Sequence, residues 1–385
     1  MRKYFFLPVI SLVVVLLLGF GCGKSKNPTE EVNGNAIDSL LREAYQAMVE
    51  SNFTRADSLY GRVLQLDNGN SKAAFGKATC SIFLLQDDPG VDSLIGYFEQ
   101  FGDSLYLPKM GHMPKLGADF PLRICEGAYS WVNKPFNGQP YTISDFQDFV
   151  VARVFPVLED LSNLFEIIET DRNFVFTIYP DLCQCQDTIE IDLGEIYAAH
   201  AQVNLTHAIL NYLVSYNMDL DTYETCLSDI LADSSSFMTL KPAGAIRMPQ
   251  AKNYLLDGIE LCSLAVDFIA HETDDQSNDL IVLDQEDGDS IYYYLGKGRQ
   301  SLIDTLQVQW STMCQGNPIS FTVALGEFFD NPIQDYKDYL PPHHFADGCN
   351  DLKVDSVYFD DPTFSGLFPE MANSDWQYFF DCDSR

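Results

Sequence analysis

The chain has 385 residues, with 23 Lys and Arg against 56 Asp and Glu and a formal net charge of −33. Its 46% hydrophobic and 13% aromatic content excludes intrinsic disorder, because a disordered chain lacks the residues that build a core. Its acidity excludes nucleic-acid binding by phosphate neutralisation, so no nucleic-acid partner is expected.

Met1-Arg2-Lys3 is basic, and Tyr4 to Leu18 is an apolar run broken only by Pro8 and Ser11. The run falls short of the roughly 20 residues that cross a bilayer as a helix and fits the core of a secretory signal peptide. Gly19-Phe20-Gly21-Cys22 follows, and small residues ending in a cysteine at this place resemble the lipobox of bacterial lipoproteins. Gly19 departs from that pattern, which has a leucine three residues before the cysteine; here Leu18 sits one place early. The resemblance implies a signal peptide over 1–21, cleavage before Cys22 and acylation (palmitate among the chains) of Cys22. Residues 22–35 then form a polar tether. With Gly rather than Asp at position 23, the resemblance implies a cell-envelope protein held in the outer membrane by its N-terminal lipid and facing the periplasm. Several acyl chains anchor firmly where one binds only marginally.

From Ile37 the pattern becomes helical. Ile37 to Asn70 spans one unit that resembles a tetratricopeptide repeat: Ala44 sits at the small-residue position of its first helix, Phe53, Ala56 and Tyr60 match the second, and Leu64, Leu66 and Asp67 match its end. Asn68-Gly69-Asn70 replaces the usual proline turn and stops the helix by accepting positive φ. A second unit starts at Ser71, with Ala73, Ala74, Ala78 and Leu84 at helical spacing, and fades at Asp87-Asp88-Pro89-Gly90. The resemblance covers residues 36–88 and implies a concave groove for a protein partner, with Tyr45, Phe53, Tyr60 and Phe75 as candidate lining residues.

Apolar positions from Ile143 to Ile168 keep a helical period, with Pro156 marking a break. Residues 194–216 read as a buried helix, 247–270 as another, and Ile291 to Leu306 as a further one. Phe174–Ile178 and Thr188–Asp192 read as two short strands, giving an inserted hairpin near 174–192. Residues 89–345 are thus expected to form a helical domain with one hairpin, and 346–385 an extended tail packed on the body. The fold class expected is mainly α, a tetratricopeptide-like α-solenoid.

His200, Asn204 and His207 lie at helical spacing on one strip of the buried helix. The two histidines are two turns, about 10.5 Å, apart, so they cannot share one metal ion. An internally satisfied polar network is the simplest role for the strip, and a ligand or catalytic site the alternative. The acidic run from Asp274 to Asp289 does not keep the register of a calcium loop, and Asp284, Glu286, Asp287 and Asp289 are only weak metal candidates. Cys22 leaves nine other cysteines, an odd number, so at least one thiol stays free; Cys80 and Cys262 lie on apolar helical faces. Cys349 and Cys382 flank the C-terminal segment and are the preferred disulfide pair, although connectivity is not readable from spacing. No catalytic motif and no cofactor are expected. The leading function is a non-enzymatic protein-interaction or scaffolding module bound to an envelope protein. The alternative is a calcium- or solute-binding lipoprotein, or an enzyme, using the His200/His207 region or the 274–289 loop.

Overall fold

The computed structural model describes residues 36–86, 88, 143–179, 188–219, 226–232, 235–272, 279–283, 285–311 and 318–380. Cys22, the signal segment, the tether and Cys382 lie outside them. Of the described residues, 62% are helical and 10% are in strands, and the named strands form three antiparallel pairs. In chain order the elements are α1 (Ala36–Val49), α2 (Phe53–Leu66), α3 (Ser71–Gln86), α4 (Ile143–Phe149), a π-helical turn (Val150–Val154), α5 (Phe155–Glu169), β1 (Phe176–Ile178), β2 (Ile189–Ile191), α6 (Leu193–Ser215), α7 (Leu227–Ile230), α8 (Gly244–Ala270), α9 (Gln285–Ile303), β3 (Leu306–Ser311), β4 (Pro318–Val323), α10 (Leu325–Asp330), a 3₁₀ turn (Tyr336–Tyr339), β5 (His343–Phe345), β6 (Leu352–Val354) and α11 (Asn373–Phe380).

Two compact units form, and neither is continuous in sequence. The first draws its described residues from 1–93, 152–207 and 254–296, the second from 94–151, 208–253 and 297–385. Blocks in chain order were expected, but long-range packing sorts the segments differently. The C-terminal stretch is also more structured than an extended tail, because it holds β6 and α11.

In the first unit, α1 packs on α2, α2 on α3 and α3 on α5. Asn52 caps α2 by accepting the Arg55 N–H at 3.2 Å, and Asn70 caps α3 by accepting the Ala73 N–H at 3.0 Å. Ala44 and Ala56 are fully buried, as short side chains must be where backbones approach closely. A Cβ at Gly76 would lie 2.2 Å from the Tyr60 ring, so the glycine makes room for a tyrosine that is 1% exposed. The start of α6 is a capping box: Asp192 Oδ1 accepts the Gly194 N–H at 2.7 Å while Glu195 accepts the Asp192 N–H at 3.2 Å. The other Glu195 oxygen accepts the Ile281 N–H at 3.1 Å and ties down the segment before α9.

Two glycines set the approach of α6 to α8. A Cβ at Gly194 would fall 2.6 Å from Ile269, and one at Gly258 would fall 3.1 Å from Leu205 and 3.3 Å from the Ala201 carbonyl. The early part of α6 therefore meets the end of α8, and the helices run antiparallel. Helix α5 also runs antiparallel to α6, since Phe155 lies against His207 and Phe165 against His200.

In the second unit, the buried Gln147 amide donates to the carbonyls of Leu213 at 2.7 Å and Tyr216 at 2.8 Å, while its oxygen accepts from Lys241. Lys337 is buried yet satisfied by the carbonyls of Ser235 and Phe237, both at 2.9 Å, and by Asp335 at 2.8 Å. Near the C-terminus, the Asp361 carboxylate accepts the backbone N–H groups of Thr363 at 2.9 Å and Ser365 at 2.8 Å and the Tyr339 hydroxyl at 3.2 Å. That holds Phe364 and Ser365 at positive φ and seats Phe364 against Phe359, Phe368 and Trp376.

Among the described residues a disulfide joins Cys226 to Cys349, so Cys349 does not pair with Cys382. Leu227, Ile230 and Leu231 bury with Phe237 against Phe345 and Leu352, and the Ser228 N–H donates to the Cys349 carbonyl at 3.0 Å, so packing brings Cys226 to its partner across 123 residues. Cys80 and Cys262 are free thiols. A link closing so long a loop stabilises by about 5 kcal/mol at most in the chain-entropy account. The Cys226→Ser/Cys349→Ser double variant should therefore unfold at lower urea, with the loss below that ceiling. An unchanged midpoint in oxidised protein would contradict the bond.

Candidate functional site

A polar cleft opens in the first unit with a volume of about 410 Å³. Its floor is the predicted strip on α6: His200, Asn204 and His207 are 6%, 5% and 2% exposed. One wall is α5, which presents Glu159, Ser162, Asn163 and Glu166 at helical spacing. The opposite wall is α8, which presents Tyr254, Asp257 and Leu261. Three helices each turn one polar stripe toward the same space, and the glycine-permitted approach of α6 to α8 brings the stripes together.

The floor is not a closed network. His200 Nδ1 pairs with Glu169 at 2.7 Å and its ring leans on Phe165, which fixes the imidazole. His207 is sandwiched, its ring stacked on Tyr254 at 4.1 Å and tilted against Phe155 at 4.9 Å. Burial lowers its pKa from 6.5 to about 4, so it is neutral at physiological pH. Between the histidines, the Asn204 amide lies nine-tenths buried and makes no side-chain hydrogen bond to protein among the described residues. Ser162 Oγ, on the wall, is also buried without a hydrogen-bond partner. The Asn204 side chain, deep in the cleft with its hydrogen-bonding groups unspent, is therefore open to a molecule that enters. The rim carboxylates are exposed. Burial raises the Asp257 pKa, with Glu260 adding to the rise and His200 opposing it.

The predicted partner-groove residues are already covered by the chain's own hairpin and helices. Tyr45 packs on Phe176 at 6.4 Å and Tyr179 at 6.3 Å, and Phe75 packs on Phe174 and Phe176. Phe53 stacks on Phe83 at 4.2 Å, and the buried Tyr60 hydroxyl points to Met48 sulfur at 3.3 Å. An apolar cavity of about 80 Å³ remains beneath the hairpin, lined among others by Met48, Ile82 and Phe176.

The weak metal candidates do not converge. Asp284 lies outside the described residues, while Glu286 and Asp287 occupy the first turn of α9, where acids complement the helix dipole, and Asp289 follows. Among the described residues no group of three or more His, Cys, Asp and Glu side chains is placed to hold a metal ion. A different acidic cluster went unread: Asp192 pairs with both Glu195 and Glu272, and burial followed by these contacts raises the pKa of both glutamates. The signal for half of it, the Asp-x-x-Glu capping box, was present in the sequence. The cleft walls on α5 and α8 carried no local signal beyond polar residues at helical spacing.

Comparison with family models, with curated proteins and with solved structures finds no match to this chain.

Because the folded pKa of His207 lies below the unfolded value, the unfolded chain takes up the proton first. Stability is then complete above about pH 6.5 and falls as the pH drops toward 4, by about 3 kcal/mol in all. His207→Phe keeps a ring against Tyr254 and removes the titration. Thermal melts at successive pH values should show the variant losing less stability on acidification; equal losses would place the acid sensitivity elsewhere.

Proposed function

We propose that this chain is a lipid-anchored protein of the bacterial cell envelope that binds a small polar ligand in the cleft over His200, Asn204 and His207. The observation that carries this reading is the Asn204 amide, nine-tenths buried at the cleft floor with its side-chain hydrogen-bonding groups unspent. A cleft of about 410 Å³ has the size of small-molecule sites, and its polar lining suits a polar ligand. Histidine pairing with Glu169 and ring stacking hold the floor rigid, which favours recognition without reorganisation. Nothing in the cleft forms a nucleophile–base pair, so the reading is of a binder and not of an enzyme.

In this reading α1–α3 are a tetratricopeptide-like unit, supported by the buried Ala44, Ala56 and Tyr60 at the positions the resemblance names. Its inner surface is used to seat the chain's own hairpin. The lipid at Cys22 holds the body in the outer membrane, facing the periplasm. A scaffolding role remains the second reading, favoured by Tyr292, Tyr293 and Tyr294 on α9, which are 39%, 57% and 70% exposed.

Two experiments test the proposal. Cys22→Ser should release the protein from the membrane fraction, and a variant that stays membrane-bound would remove the lipoprotein reading. The full chain in detergent, screened by thermal shift against polar metabolites, should gain several degrees with at least one compound, and Asn204→Leu should abolish that gain. A gain that survives Asn204→Leu would move the site away from the cleft.

A further inference from the structure

The surroundings of the cleft point to the class of ligand. Glu159, Glu166 and Asp257 stand on its walls, and none of the lining residues is Lys or Arg. Within the units some carboxylates carry a lysine partner: Asp57 with Lys77, Asp330 with Lys252 and Asp335 with Lys337. Among the described residues, none of the three wall carboxylates forms an ion pair. The histidines do not compensate, because His207 is buried and neutral and His200 is already engaged by Glu169. Three acceptors with no N–H of their own, the carboxylates, therefore face the empty space, and the Asn204 amide beneath them offers both an acceptor and N–H donors. Three carboxylates gathered around one cleft favour a ligand that is positively charged and rich in N–H donors.

We infer that the cleft binds an organic cation, a primary amine or guanidinium compound, with its charged head between the α5 and α8 carboxylates and an N–H donated to Asn204 Oδ1. This inference rests on the cleft being a ligand site and adds the charge and donor pattern of what enters. A neutral polyol would leave the carboxylates uncompensated, and an anion would be repelled. The aromatic wall at Tyr254 favours a ligand with a short apolar stem beside the charged head. The chemistry does not separate a free amine from a basic side chain of a short peptide, and the probes below do.

The test is calorimetric titration of the full chain in detergent with putrescine, agmatine and a capped arginine dipeptide, alongside mannitol and citrate as neutral and anionic controls. One or more of the cations is expected to bind with unit stoichiometry, and the identity of the binder distinguishes free amine from peptide. Removing one wall charge should weaken binding by roughly fivefold, and the Glu166→Gln/Asp257→Asn double variant by more. Glu286→Gln/Asp289→Asn, which removes two acids outside the cleft, serves as control for loose association with an acidic surface and should leave the affinity unchanged. Equal weakening by both double variants would overturn the inference, since the cations would then be bound by surface charge alone. Binding of mannitol that Asn204→Leu abolishes, without binding of any cation, would overturn the cationic class and leave the cleft a ligand site. Silence from every probe would count against both. Circular dichroism of each variant separates a lost site from a lost fold.

Discussion

The closeness of α6 and α8 governs the first unit. Gly194 and Gly258 carry no side chain at the places where one would strike Ile269, Leu205 or the Ala201 carbonyl. An added methyl at either place would push the helices apart by a few tenths of an ångström or more. The two faces that meet are mixed: aliphatic where the helices touch, and polar along the strip that α5 also faces. The cleft is what remains when three helices with such faces are drawn together by their apolar halves. Its floor is rigid because ring stacking and the His200–Glu169 pair leave the imidazoles little freedom.

Much of the helical content was legible because apolar residues recur at a period near 3.6. Helix α6 was expected over 194–216 and spans Leu193–Ser215; α8 was expected over 247–270 and spans Gly244–Ala270. The β1–β2 hairpin was legible from runs such as Phe174-Val175-Phe176-Thr177-Ile178, and the break at Pro156 marks where a π-helical turn gives way to α5. Strand pair β3–β4 was not foreseen, and neither was α11. Interleaving of the two units was not legible either, because which helix a polar stripe faces depends on contacts across about 30 to 50 residues, such as His200 with Glu169 and His207 with Tyr254. Asn204 illustrates the limit. Its place on a strip could be read, but its lack of a side-chain partner emerges only when the neighbours are in position.

Cysteine pairing failed for the same reason. Cys349 and Cys382 are neighbours in the chain, but the partner of Cys349 is chosen by the burial of Leu227, Ile230 and Leu231 under β5 and β6. The aromatic groove was misplaced because a surface that could receive a partner strand received the chain's own. Tyr45 and Phe75 were expected to line a partner groove, and they pack on Phe176 of the chain's own hairpin.

The carboxyl cluster at the start of α6 alters what the acidity of the chain means. A net charge of −33 assumes that every Asp and Glu is ionised. Burial and mutual repulsion around Asp192 raise the proton affinity of Glu195 and Glu272, so the native chain keeps protons that the unfolded chain releases. Folding near neutrality is therefore coupled to proton uptake, and the native molecule migrates in an electric field as a less negative particle than its composition implies. Acidic surroundings would therefore favour completion of this corner of the fold.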